Sequence, residues 1–83
     1  MYKIIKTTDL LFGVLRPPSF WNEHPAFVKE YEKVRESIKT DGLKKPLEVK
    51  KTNQGYVVEV GNQRLQALLD LGITTAPCNV KGE

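Results

Sequence analysis

The sequence predicts an α/β (α+β) fold, a small mixed sheet with two main helices, from three observations. A β-branched run of Val57, Val58 and Val60 gives way at Gly61 to Leu65, Leu68 and Leu69 at helical spacing. Upstream, Phe27, Val28, Tyr31, Val34 and Ile38 recur every three or four residues, the apolar stripe of an amphipathic helix. Between them, residues 46–51 alternate Leu47 and Val49 with Glu48 and Lys50, the period of a strand with one buried face. Helical and strand periods thus interleave along one short chain.

Taken in order, residues 2–7 read as a first strand with Ile4 and Ile5 on opposite faces, and Thr8-Asp9 supply turn or cap chemistry before Leu10-Leu11-Phe12. Residues 13–25 form the longest loop, because Gly13, Pro17, Pro18, Ser19, Asn22 and Pro25 deny the backbone regular pairing. Pro25 suits a first helical turn, where its missing N–H has no partner to lose. The helix it opens turns Lys29, Glu30, Glu32, Lys33, Glu36 and Lys39 to water, with Glu32–Arg35 and Glu36–Lys39 pairs each worth a few tenths of a kcal/mol, and Gly42 ends it. Residues 46–51, the turn Thr52-Asn53-Gln54-Gly55 and residues 56–60 read as a hairpin. A second helix follows Gly61 and closes at Gly72, and residues 78–80 make a closing strand with Cys78 and Val80 on one face. No internal repeat or composition shift divides residues 1–83, which are read as one domain.

Composition narrows the function classes. Apolar content of 40% beside 28% charged residues is that of a folded globular chain, so disorder is not expected. The net charge of +3 comes from 13 basic and 10 acidic side chains mixed along the chain, which permits contact with phosphates without demanding it. Cys78 is the only cysteine, which rules out an internal disulfide and a multi-cysteine metal site and fits a reducing compartment. The N-terminal residues lack a signal-peptide core and no apolar run approaches membrane-spanning length, so a cytoplasmic protein without membrane partners is expected.

The chemistry concentrates at residues 61–64. A strand handing over to a helix at Gly61 puts Asn62, Gln63 and Arg64 in the first helical turn, where unpaired N–H groups and the peptide dipoles favour anions. Arg64 adds a planar guanidinium able to hold phosphate oxygens in pairs. The plainer alternative is an ordinary junction, with Asn62 as N-cap and Arg64 on the surface. Lys44 and Lys45 either add phosphate contacts or form a solvated turn. Phe20 and Trp21 either stack on a base, anchor a protein partner or roof a small core. His24, before Pro25, fits capping or exposure better than catalysis, and with no second His or Cys beside it no metal site is expected. Cys78 fits a small buried apolar residue. With serines only at Ser19 and Ser37 and one histidine, no triad can be assembled, and Asp9, Asp41, Glu48, Glu59 and Asp70 show no spacing that converges on the turn, so no catalytic residue is assigned.

The same residues carry a family resemblance. Gly61-Asn62-Gln63-Arg64-Leu65-Gln66-Ala67-Leu68, followed by Leu71-Gly72 and Ala76-Pro77, resembles the Gly-x-x-Arg core of the ParB/sulfiredoxin superfamily, in particular its small ParB-like domains of the GNHRL type. Glu36-Ser37-Ile38 and then Asp41-Gly42-Leu43-Lys44-Lys45-Pro46-Leu47-Glu48-Val49 resemble that family's "SI…GL..P..V" block. The resemblance implies the ParB/sulfiredoxin-like fold and a binding module for the phosphates of a nucleotide or of DNA, with a nucleoside triphosphate as the candidate ligand. It implies phosphate-binding roles for Gly61, Asn62, Gln63 and Arg64, with help from Arg16, Lys44 and Lys45, Arg16 standing in Leu15-Arg16-Pro17-Pro18 where better-known ParB proteins have a short Pro-Arg box.

Departures from the pattern are informative. The reductase branch requires cysteine and histidine at the positions of Asn62 and Gln63, so sulfiredoxin chemistry is excluded for want of a thiolate. Clamp-type members place an acidic residue where Asn62 stands, and a neutral amide is a poorer partner for Mg²⁺. Two alternatives stay open beside the binding module: a phage-type effector or inhibitor that uses Phe20 and Trp21 on a protein partner, and a weak Mg²⁺-dependent nuclease or nucleotide hydrolase.

Overall fold

The structure is a computed structural model, and it describes residues 1–13 and 23–82. Five strands form one sheet in the order β1-β5-β3-β4-β2. They are β1 (Tyr2–Lys6), β2 (Leu10–Phe12), β3 (Leu47–Thr52), β4 (Gly55–Val60) and β5 (Thr75–Lys81), with helices α1 (Pro25–Asp41) and α2 (Asn62–Asp70) between them. β1 runs antiparallel to β5 and β3 antiparallel to β4, whereas β3 with β5 and β2 with β4 are parallel, so the sheet is mixed as expected.

Alternation along the strands sorts the faces. Ile5, Ala76, Cys78, Val80, Leu47, Val49 and Val58 are buried in one cluster with Leu65, Ala67 and Leu68 of α2 and Tyr31 and Ile38 of α1. Ile4, next to Ile5, is 60% exposed, as a period of two requires. Leu47, Val49, Val58, Leu65 and Cys78 are fully out of water. Burial of each such large aliphatic side chain contributes roughly 1.5–3 kcal/mol.

The departures have local causes. β1 ends at Lys6 rather than Thr7 because Thr7 turns its N–H to the Thr74 carbonyl (2.9 Å) and its hydroxyl to the Ile73 carbonyl (2.8 Å), opening a short 3-10 turn. Leu10–Phe12 becomes a strand by pairing with residues Tyr56, Val57 and Val58 of β4. β5 starts at Thr75, three residues before the expected 78–80, and tolerates Pro77 because β3 pairs with it only from Cys78 onward. In α2 the buried positions are Leu65, Ala67 and Leu68, while Leu69 is 36% exposed. The helix closes as expected at Gly72, in a double turn in which Ile73 N–H donates to Leu68 O (2.9 Å) and Gly72 N–H to Leu69 O (3.1 Å). The Glu32–Arg35 and Glu36–Lys39 pairs are not formed; the Arg35 guanidinium lies instead over the Tyr31 ring, 5.8 Å from its centre. Among the described residues no helix is long and apolar enough to cross a membrane.

Candidate functional site

The junction between β4 and α2 is built on glycine. Gly61 sits at φ 107° and ψ 24°, a left-handed conformation that lets the strand turn straight into the helix. A Cβ there would lie 2.6 Å from Leu47 Cδ2, so any side chain at this position would force the buried Leu47 to shift. Gly61, and not Asn62, is the N-cap, and its carbonyl accepts the first helical bond from Leu65 N–H at 2.8 Å. The N–H groups of Asn62, Gln63 and Arg64 therefore have no preceding helical carbonyl to bond.

Asn62 is the first helical residue, and its side chain is committed inward. Nδ2 donates to the Val58 carbonyl (3.1 Å) and Oδ1 accepts from Gly13 N–H (2.9 Å), which ties the end of β2 to the start of α2. What Asn62 offers a ligand is its backbone N–H. Its side-chain oxygen is turned to Gly13. Among the described residues no group of three or more His, Cys, Asp or Glu side chains gathers to hold a metal ion.

The first turn of α2 opens onto a cleft of about 470 Å³ lined by Phe27, Glu30 and Val34 of α1, Glu59 and Val60 of β4, and Gly61, Asn62, Gln63 and Arg64. Val60, 58% exposed, is the apolar floor at the strand end. Among the described residues no carboxylate lies within ion-pair distance of Arg64. Glu59 stands 4.0 Å from Lys81 Nζ. A second cleft, about 330 Å³, shares Val34 and Arg64 with the first and adds Lys33, Ser37, Ile38, Gly42, Leu43, Lys44 and Lys45.

The structure thus brings together Gly61, Asn62, Gln63 and Arg64 and places Lys44 and Lys45 around the adjoining cleft that Arg64 also lines. Lys44 pairs with Asp41 at 3.7 Å. Arg16, Phe20 and Trp21 lie outside the described residues. His24 is exposed at the N-cap of α1, where its carbonyl accepts from Phe27 and Val28 N–H. Sequence reasoning missed Phe27, Glu30, Lys33 and Ser37 as lining residues. Their helical spacing was visible, but which flank of α1 meets the start of α2 is decided by tertiary packing.

A different flank of α1 holds a polar cluster. The buried Tyr31 hydroxyl donates to Asp70, whose other oxygen accepts from Gln66 Nε2 at 2.9 Å. Burial first, and the hydrogen bond to the Asp70 carboxylate second, push the Tyr31 hydroxyl up to about 12. Burial likewise raises the Cys78 thiol above its usual range.

The sequence profile of the ParB N-terminal domain family matches residues 15–82. No curated protein sequence matches the chain. Solved structures share its fold. Sulfiredoxin from Arabidopsis thaliana superposes with a TM-score of 0.74 at 18% identity, over 100% of this chain and 86% of that one. A free serine kinase in complex with AMP gives 0.74 at 23% identity, over 96% and 30%. The C-terminally truncated chromosome-partitioning protein ParB from Caulobacter crescentus, complexed with CTPγS, gives 0.74 at 17% identity, over 100% and 45%. The chain therefore spans less than half the length of the kinase and ParB structures it resembles.

Proposed function

The chain belongs to the ParB N-terminal domain family, and from that premise we propose that it is a binding module that holds a nucleotide by its phosphates at the start of α2. The observation that carries the reading is a juxtaposition: Gly61 and the first-turn residues Asn62, Gln63 and Arg64 of α2 line one open cleft, and no described carboxylate lies within ion-pair distance of Arg64. A helix start of this kind attracts anions through its unbonded donors and its dipole, and a guanidinium fits two phosphate oxygens at once. Support of a coarser kind comes from the neighbours, since a kinase of this fold was solved with AMP and a ParB with CTPγS.

The test is a titration of the protein with ATP, CTP, GTP and a DNA duplex, repeated with Arg64→Ala and Arg64→Lys. Saturable nucleotide binding is expected, weakened about tenfold or more in Arg64→Ala because charge-assisted hydrogen bonds contribute roughly 1.5–3 kcal/mol. Arg64→Lys restores the charge but not the planar fork, so it recovers only part of the affinity. Binding to the duplex alone moves the reading to nucleic-acid phosphates. No saturable binding, or an Arg64→Ala variant that binds like the parent, overturns it.

A further inference from the structure

β1 stands at one edge of the sheet, and among the described residues its only strand partner is β5. Its hydrogen bonds to that side fall on odd-numbered residues. The Met1 amino group donates to the Val80 carbonyl (2.8 Å), Val80 N–H donates to the Met1 carbonyl (2.7 Å), and Thr7 N–H donates to the Thr74 carbonyl (2.9 Å). In an antiparallel pair such positions alternate with residues whose N–H and C=O point away from the partner. Tyr2, Ile4 and Lys6 therefore turn both backbone groups to the open edge. Pro77, which stands opposite Ile4, agrees with this phase, because it has no N–H to give. Among the described residues nothing bonds Tyr2, Ile4 or Lys6 on that edge.

The same three residues carry the exposed face of β1. Tyr2 is 58% and Ile4 60% exposed, and Lys6 is exposed beside them, while Ile5 is buried. Lysines commonly guard an open strand edge against pairing. Lys3 belongs to the opposite face, with its ammonium 5.9 Å from the centre of the Tyr56 ring, so Lys6 is the one charge on the exposed face of the strand.

We infer that β1 is the interface of a homodimer, in which it pairs antiparallel with β1 of a second copy across a two-fold axis at Ile4. In that register Ile4 meets its own counterpart, Tyr2 meets the second copy's Lys6, and Lys3 meets the second copy's Ile5. The three residues whose backbone groups face outward become the hydrogen-bonded pairs, so the strand is matched along its whole length. On the exposed face the two isoleucines cover one another, and at each end a Lys6 ammonium lies over a Tyr2 ring. No lysine opposes a lysine. Moving the axis to Lys3 sets Lys3 against Lys3, and moving it to Ile5 sets Ile4 against Lys6 and takes Tyr2 out of the pairing. Charge and hydrogen-bond phase thus select one register and one occupant, a copy of this chain. The contact is isologous and closes at two copies. Five residues a side make a small interface, so the dimer is reversible and grows with concentration.

The experiment is sedimentation velocity on the whole chain over a range of concentrations, with the parent, Ile4→Lys and Lys6→Glu. Both substitutions fall at exposed positions, and circular dichroism checks that the fold is kept. The parent is expected to pass from monomer to dimer and no further. Ile4→Lys places two ammonium groups on the axis and abolishes the dimer. Lys6→Glu removes two exposed cation–π contacts and weakens it about fivefold or more. A parent that stays monomeric at every concentration overturns the pairing and leaves the edge to a strand of another protein. Growth beyond the dimer, or a folded variant of either kind that dimerises as tightly as the parent, overturns it as well.

Discussion

At Gly61 two independent demands coincide, and comparison with Gly72 separates them. Both residues hold positive φ, 107° and 72°, but a Cβ at Gly61 would strike Leu47 Cδ2 at 2.6 Å while one at Gly72 meets nothing within 4 Å. Gly72→Ala is therefore expected to cost only the left-handed backbone strain, about 1–2 kcal/mol. Gly61→Ala adds displacement of a fully buried leucine, for a total of about 2–4 kcal/mol. Denaturant titration of the two variants checks the ordering, and equal losses would mean that Leu47 yields freely. Tyr31 makes a second prediction at this scale. Its hydroxyl is held up at about 12 in the folded protein against 10.0 for the free side chain. The folded state thus keeps its proton longer than the unfolded one, so the stabilisation is fully present below pH 10 and is lost as pH climbs toward 12. Tyr31→Phe is expected to flatten the fall in stability between those two values, as measured by chemical denaturation at stepped pH.

Three elements meet at the start of α2, and one side chain joins them. Asn62 donates to Val58 in β4 and accepts from Gly13 at the end of β2. Asn62→Asp keeps the acceptor for Gly13 but sets a carboxylate oxygen against the Val58 carbonyl, so it is expected to cost about 1–3 kcal/mol, the penalty of an unmatched acceptor pair. Thermal unfolding of that variant beside Asn62→Ala tests the assignment; no loss in either would show that the strut is dispensable. This junction also marks the limit of what the sequence discloses. The Val57-to-Leu68 switch from period two to helical spacing, the Pro25 start of α1 and the Gly72 closure of α2 are local signals, and each appears in the structure as read. The strand at Leu10–Phe12 is three residues long and exists through parallel pairing with β4, a contact no local window contains. Asn62 looked like an N-cap by its residue type, but the left-handed Gly61 had already filled that place. The second cleft was half legible, since Lys44 and Lys45 stand together in the chain while Lys33 joins them only once α1 has packed.

Across the whole molecule, the sheet connects the site to the core, and Cys78 reports on both. Its side chain is fully buried in β5, which lies between β1 and β3, and burial holds the thiol protonated above its usual range. A reagent needs the thiolate and needs access, so labelling in the native state must wait for the sheet to open. Cys78 lines neither of the two clefts that meet at Arg64, so a nucleotide bound there does not shield the thiol directly. A ligand that binds only the folded state nevertheless deepens that state by about 2.7 kcal/mol at a hundredfold excess over Kd. If opening is global, ATP at a hundredfold excess over the parent Kd should therefore slow Cys78 labelling by about a hundredfold, and Arg64→Ala should cut that protection to about tenfold or less while leaving the unliganded rate unchanged. Labelling that ignores the nucleotide, under conditions where calorimetry shows it bound, would mean that β5 opens locally without releasing the site, and that the sheet and the start of α2 are separate cooperative units.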